Sequence, residues 1–180
     1  MRYETIADIY SANQKVRAAL AATVSNILPA EATVLADGEK WTIQQIAEHL
    51  SMVDFGISRI CAKLLEEARS IGKPSHGTDK LSADFSEKAA MIDHVKLIEA
   101  PERVQPTGNV TIADSLEKMN ANRPAFDAMR SDLEKYDVSE PKFPHPYFGD
   151  ITAAEWMVVA VGHEQRHTKQ IERLLAKIRQ

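Results

Sequence analysis

Apolar residues recur every three or four positions along four long stretches of the chain, the spacing of one helix face. The four stretches run from about Thr5 to Leu28, from Thr42 to about Arg69, from Thr111 to about Leu133 and from Thr152 to the C-terminus. Few segments alternate with a period of two. The pattern therefore predicts an all-α fold, organised as a four-helix bundle.

Local signals mark where these helices begin and end. The last three stretches each open on a threonine with Gln45, Asp114 or Glu155 three positions later, the pattern of a capping box. Pro29 is expected to end the first helix. Pro124 falls inside the third pattern, where a proline is expected to kink or interrupt a helix.

The connection between the second and third helices is long. Gly72 and Pro74 stop the second pattern, and helical spacing does not resume until Thr111, apart from a short helix or irregular crossover at Ser86–Ile98. Such a length predicts a crossover between helices two and three rather than a tight hairpin. The proline-rich segment Pro141–Pro146 predicts a rigid, extended lead-in to the fourth helix.

Composition narrows the class of protein. With 180 residues the chain is expected to form one domain over residues 1–180. Its single cysteine, Cys61, excludes an intrachain disulfide and favours a reducing compartment. No run approaches the roughly 18 apolar residues of a membrane span. A net charge of -4 argues against nucleic acid as a partner. We therefore expect a cytoplasmic protein with neither a membrane nor a nucleic-acid partner.

Two histidines stand one helical turn apart in the fourth helix. His163 and His167 share a face because positions i and i+4 are neighbours on a helix. They continue an apolar stripe that includes Trp156 and Ile171, so both rings are expected to point into the bundle. Buried imidazoles are costly unless they are hydrogen-bonded or metal-bound. The pair is thus either a satisfied core pair or part of a metal site.

A third histidine borders the apolar stripe of the second helix. His49 lies seven residues after the Thr42 cap, near Ile46 and Val53. If helices two and four pack together, His49 can complete a three-histidine site, because bundles build metal sites from polar residues on facing helices. The alternative is a boundary histidine with one nitrogen in water.

The string from His163 to His167 also matches H-E-x-x-H, the motif of zinc proteases. Those enzymes take a third ligand downstream. Here Gln170 and Arg173 occupy the positions where the extended motif has glycine and histidine, and no sheet is predicted to hold a peptide. A di-iron carboxylate bundle would need a second Glu-x-x-His motif, which the chain lacks. The sequence therefore disfavours both a zinc protease and a di-iron carboxylate protein.

Other candidate residues carry weaker signals. Glu164 neighbours the histidines and could act as an acid or base, although a surface salt bridge explains it equally well. Cys61 follows the apolar pattern of the second helix and is expected to lie in the core. His145 could line a pocket or anchor its loop. His76 and His94 fall in loop or crossover sequence and indicate no role.

Three motifs together resemble those of the DinB-like superfamily of damage-inducible proteins. They are the string Trp41–Leu50, the lead-in Pro106–Gly108, and the long run from His145 to Trp156 that continues through His163–Ile171. The resemblance extends from the first helix to the C-terminus.

The resemblance implies a four-helix bundle, often a homodimer, in which His49, His163 and His167 bind a divalent metal. Zinc, nickel and iron all suit three imidazoles. Some relatives are S-transferases that use low-molecular-weight thiols, and others are hydrolases or isomerases. The expected function is a metal-dependent thiol S-transferase acting on a small molecule. The alternatives are a metal-dependent hydrolase, a non-catalytic metal- or ligand-binding stress protein, and a buried histidine cluster without metal.

Overall fold

The computed structural model describes residues 3–75, 81–91 and 99–180. Its elements in chain order are α1 (Ile6–Val24), α2 (Pro29–Ala32), α3 (Ile43–Ile71), α4 (Ala83–Met91), a 3-10 turn (Glu102–Val104), α5 (Ile112–Lys135), β1 (Phe143–His145), β2 (Gly149–Ile151) and α6 (Ala153–Ile178). The four long helices α1, α3, α5 and α6 correspond to the four predicted stretches. The all-α prediction is confirmed.

The long helices pack as a four-membered ring. Helix α3 lies against α5 and α6, while α1 lies against α6 and α5. Buried apolar side chains from all four fill the space between them, as a four-helix bundle requires. The packing of α3 on α6 is the contact on which a shared histidine site depends. Among the described residues, no helix is long and apolar enough to cross a membrane.

Threonine caps begin every long helix. Thr42 and Thr152 form complete capping boxes with Gln45 and Glu155, as predicted. Thr5 forms another at the start of α1, and the Thr111 side chain accepts a hydrogen bond from the Asp114 amide. These side chains satisfy amide groups that have no partner inside the helix. The boundaries nearest the histidines are therefore fixed by local sequence.

The predicted end of the first helix is wrong. Helix α1 stops at Val24, and Pro29 is the first residue of the short helix α2 instead of a terminator. Proline is well tolerated at that position because the first helical amide needs no partner. Leu28, the predicted last residue of the first helix, is 62% exposed between the two helices.

Pro124 does not interrupt the third long helix. Helix α5 runs through it from Ile112 to Lys135. The missing proline amide removes one intrahelical hydrogen bond. Met119 and Phe126, on either side of the proline, are buried against the other helices, and this tertiary packing keeps the helix continuous.

The long connection between α3 and α5 is confirmed as a crossover, within which helix α4 lies. That helix begins at Ala83, three residues before the predicted start, and buries Phe85. The remainder of the predicted segment, residues 92–98, lies outside the described residues, and so do His76 and His94.

The proline-rich lead-in to α6 forms one strand of a small hairpin. Strand β1 pairs antiparallel with β2, with Phe143 opposite Ile151. The extended conformation was predicted, but the pairing was not, because three-residue strands are too short to show alternation. Gly149 has φ 76°, a left-handed conformation that favours glycine at the turn. The indole of Trp156 donates a hydrogen bond to the Phe143 carbonyl and ties the hairpin to α6.

Candidate metal centre

The structure brings the three predicted histidines together. His49 comes from the second turn of α3, and His163 and His167 come from adjacent turns of α6. One ring nitrogen from each lies within 4.8 Å of the corresponding nitrogens of the other two. Within the part of the chain that the structure describes, this is the group of side chains suited to hold a metal ion.

Hydrogen bonds at the outer nitrogens set the tautomers of two rings. His49 Nδ1 donates to the Val104 carbonyl at 2.7 Å, and His167 Nδ1 donates to Gln170 Oε1 at 2.8 Å. A neutral imidazole that donates from Nδ1 has its lone pair on Nε2. The His49 Nε2 atom lies 3.2 Å from His163 Nε2. Two lone pairs are thereby directed to the centre of the cluster, as in metal sites whose outer nitrogens are held.

Each ring is held in its neutral form. Removal from water lowers the pKa of His49 and of His163, which the neighbouring His167 and His49 lower further. The pKa of His167 falls to about 4, chiefly through desolvation. Burial disfavours the charged imidazolium, and adjacent imidazolium ions would repel each other. At neutral pH all three rings are therefore uncharged, as metal coordination requires.

An indole ring covers one side of the cluster. Trp41 lies just before α3, and its ring centroid is 4.8 Å from that of His49 and 6.5 Å from that of His167. The sequence indicated Trp41 only as the first residue of a family motif. Its position shows that it shields two of the rings from solvent.

Helix α6 is rotated from the orientation predicted by its apolar stripe. The most buried line runs through Met157, Val161, Glu164 and Thr168, while His163 is at the margin with partial exposure. Glu164 is only 4% exposed. It does form a salt bridge, but in the interior and not on the surface as expected. Trp156, Ile171 and Leu174 of the predicted stripe are buried, as expected. The stripe differs in its middle, where a buried polar residue lies on the interior line and the histidines lie beside it.

Glu164 belongs to a buried polar network that joins all four long helices. Arg17 of α1 donates to both Glu164 carboxylate oxygens, at 2.9 and 3.0 Å, and to Asp54 of α3 at 2.7 Å. Asn122 of α5 donates to the other Asp54 oxygen at 2.7 Å. Burial raises the pKa of Glu164, and the Arg17 guanidinium opposes that rise. The network gives Glu164 a structural role, and its catalytic role stays a prediction.

A small gap connects this network to the cluster. It has a volume of about 10 Å³ and is lined by Asp54, His163 and Glu164 together with apolar side chains. That volume is close to the minimum for one water molecule.

Three residues of the network were not identified from the sequence. They are Arg17, Asp54 and Asn122.

His145 anchors the hairpin. Its Nδ1 atom accepts hydrogen bonds from the amides of Tyr147 at 3.1 Å and Phe148 at 3.2 Å, and its ring packs on Phe148 and Trp156. Burial lowers its pKa from 6.5 to about 4. A protonated ring would lose both acceptor contacts. The anchoring interpretation is therefore the one that the structure bears out.

We predict that His145→Asn makes stability less dependent on pH. The folded pKa of His145 is depressed, so its contribution is complete above about pH 6.5 and is lost as pH falls toward about 4. Asparagine offers an acceptor oxygen near the Nδ1 position but does not titrate. Urea unfolding of wild type and variant across this window should show wild type losing more stability as the pH falls. A stability difference independent of pH would contradict this assignment.

Cys61 lies in the core, as predicted. It is fully buried, and its thiol contacts the Ala153 carbonyl at 3.6 Å. Burial raises its pKa to about 12. The residue is therefore a thiol at neutral pH, which is unsuited to nucleophilic chemistry.

Comparison with known proteins agrees with this fold. The uncharacterized protein YuaE of Bacillus subtilis (strain 168) is 22% identical over 141 residues, covering 78% of this chain and 80% of YuaE. The crystal structure of TT2238, described as a four-helix bundle protein, superposes with a TM-score of 0.59 at 18% identity, covering 93% of this chain and 98% of TT2238. The family model of the DinB superfamily matches residues 12–171, and the chain belongs to that superfamily.

Proposed function

We propose that the chain binds one divalent transition metal through His49, His163 and His167. The observation that carries the proposal is the convergence of three ring nitrogens within 4.8 Å of one another. These nitrogens come from two separate helices, so the grouping is a product of the fold and not of local sequence alone.

The donor set fits zinc, nickel or iron. Imidazole nitrogen suits each of these metals, whereas magnesium and calcium prefer oxygen ligands. The lowered pKa of His167 and of its two neighbours keeps the rings uncharged at neutral pH. The Val104 carbonyl and the Gln170 side chain hold two of the rings from outside. Such outer contacts commonly orient metal-binding histidines.

We further propose that the site activates a low-molecular-weight thiol for transfer to a small electrophile. A divalent metal held by the three histidines would lower the pKa of a thiol or water bound to it. In the transfer, the thiol would release its proton to solvent and its sulfur would bond to an electrophilic carbon, whose leaving group departs with the bonding pair. Membership of the DinB superfamily and the histidine cluster support this assignment.

A thiol-conjugation assay tests the reaction. Metal-loaded protein is mixed with cysteine-derived thiols and a panel of alkyl halides and epoxides, and product is quantified by mass spectrometry. We expect turnover by wild type and by Cys61→Ala, whose thiol is buried in the core, and none by His163→Ala. Hydrolysis of the halides or epoxides without conjugation would favour the hydrolase. Metal binding without either reaction would favour a non-catalytic binding protein.

The homodimer implied by the family resemblance belongs to the same proposal. Light scattering during size-exclusion chromatography should give a mass of about twice the 20.0 kDa of one chain. A mass matching one chain at all concentrations would exclude it.

A further inference from the structure

One buried carboxylate next to the cluster clamps the final part of the crossover. Glu48 is 3% exposed and immediately precedes His49 in α3. Its Oε1 accepts from the Thr107 amide at 3.1 Å and the Thr107 hydroxyl at 2.8 Å, and its Oε2 accepts from the Gly108 amide at 2.7 Å. A buried carboxylate with three donors is well satisfied, so this contact is a fixed point of the loop.

Neighbouring residues reinforce that fixed point. Gln44, one turn before Glu48, donates from its side chain to the Gly108 carbonyl at 2.7 Å. Gly108 has φ 81°, and a Cβ there would meet the Gln45 side chain at 3.5 Å. The turn thus favours glycine for its left-handed backbone, and it lies in contact with α3. Residues 107–108 are held on the helix by both side chain and backbone contacts.

The two clamped residues lie three and four positions after Val104, whose carbonyl orients His49. Val104 ends the 3-10 turn, whose Gln105 amide bonds back to the Glu102 carbonyl. Between Val104 and the clamp, Pro106 restricts the backbone. Only Gln105 and Pro106 separate Val104 from Thr107, so the position of Thr107 restricts where the Val104 carbonyl can lie. That carbonyl accepts from His49 Nδ1 at 2.7 Å.

We infer that Glu48 is a positioning residue for the cluster: by clamping Thr107 and Gly108, it holds the Val104 carbonyl where it fixes His49 in the Nδ1–H tautomer. The inference rests on the proposed metal site, whose ligand atom on this ring is Nε2. Without the clamp, His49 would sample the tautomer that carries its proton on Nε2. That proton must leave before the nitrogen can coordinate.

The other end of the crossover contains a matched control. Glu155 is 2% exposed, and its Oε1 accepts from the amide and hydroxyl of Ser82 at 2.8 and 2.6 Å. Glu48 accepts the same pair of hydrogen bonds from the amide and hydroxyl of Thr107. The described contacts of Glu155 are to Ser82 and Thr152, and none is to a histidine. Substituting Glu155 therefore shows the effect of losing a buried carboxylate contact to the crossover, apart from the effect of losing the one next to His49.

The test reads the histidine tautomers in metal-free protein. Glu48→Gln replaces one acceptor oxygen with an amide group that meets the Thr107 or Gly108 donor. Long-range proton–nitrogen spectra should show His49 gaining Nε2–H population, while His167, held by Gln170, stays unchanged. Metal affinity should fall by about 10- to 100-fold, the usual effect of losing an outer contact. Glu155→Gln should change neither the tautomer nor the affinity.

Thr107→Val provides a second variant that keeps the carboxylate. It removes one donor of the clamp and should shift the His49 tautomer in the same direction by a smaller amount. An unchanged tautomer and affinity in folded Glu48→Gln would overturn the inference. Should Glu48→Gln fail to fold, the same result in Thr107→Val would overturn it. The tautomer is read without metal, so failure of wild type to bind metal would refute the proposed function separately.

Discussion

His163→Ala is expected to lower the affinity for a divalent transition metal by more than about 100-fold, the upper range for losing only an outer contact. The ring centroid of His163 is 5.1 Å from that of His49 and 4.5 Å from that of His167. Its loss leaves two ligands on two different helices. Competition against a chromophoric chelator measures the change. His49→Ala and His167→Ala should show losses of similar size.

The control for this prediction is a histidine outside the cluster. His145→Asn changes a buried ring that bonds to the hairpin amides, and its metal affinity should match wild type. Wild-type affinity in His163→Ala would remove that residue from the site. An equal loss in His145→Asn would show that the measured binding does not report on the three-histidine cluster.

Arg17→Met should destabilise the fold by about 3–5 kcal/mol, the usual effect of removing one partner from a buried ion pair. The Arg17 guanidinium is the cation that contacts both Asp54 and Glu164, whose side chains are 6% and 5% exposed. Without it, two buried carboxylates would face each other unpaired. Methionine preserves much of the side-chain volume, so the effect reports on charge more than on packing. Urea unfolding at neutral pH measures the change.

Two further variants test this explanation. Arg179→Met removes an exposed pair with Glu31 and should have a much smaller effect, because surface pairs contribute little. Adding Glu164→Gln to Arg17→Met should restore part of the lost stability by removing one uncompensated charge. No recovery in the double variant, or an equal loss in Arg179→Met, would contradict the assigned role of the network.

The meeting of the three histidines could be predicted because it depends on helix geometry. His163 and His167 share a face through their spacing. His49 borders the apolar stripe of the second helix, and the family resemblance also implied it as the third ligand. Helix starts were also predictable, since Thr42, Thr111 and Thr152 cap by local hydrogen bonds. The caps and the shared face of His163 and His167 depend on residues a few positions apart, and the sequence shows them directly.

The buried network was missed although a signal was present. Arg17, Asp54, Asn122 and Glu164 each interrupt the apolar stripe of a different helix; Asp54, for example, lies between the buried Leu50 and Ile57. One polar residue on each of four stripes indicates a shared interior contact. A single interruption does not reveal its partners, because these depend on the rotation and relative height of the helices.

The contacts outside the cluster could not be predicted for a different reason. The Val104 carbonyl that orients His49 and the clamp of Glu48 on Thr107 come from a crossover with no helical or strand pattern. A backbone carbonyl carries no side-chain signal. The pairing of Phe143 with Ile151 in the hairpin could not be predicted either, because strands of three residues are too short to show an alternating pattern.

The metal content of purified wild-type protein tests the central claim most directly. Bound metal is removed with a chelator, and the protein is reconstituted separately with zinc, nickel and ferrous iron. It is then desalted, and its metal content is measured by inductively coupled plasma mass spectrometry. Three imidazoles grouped within 4.8 Å predict about one equivalent per chain for at least one of these metals. Less than about a tenth of an equivalent for all three would contradict the account, because a neutral three-histidine site should retain such a metal.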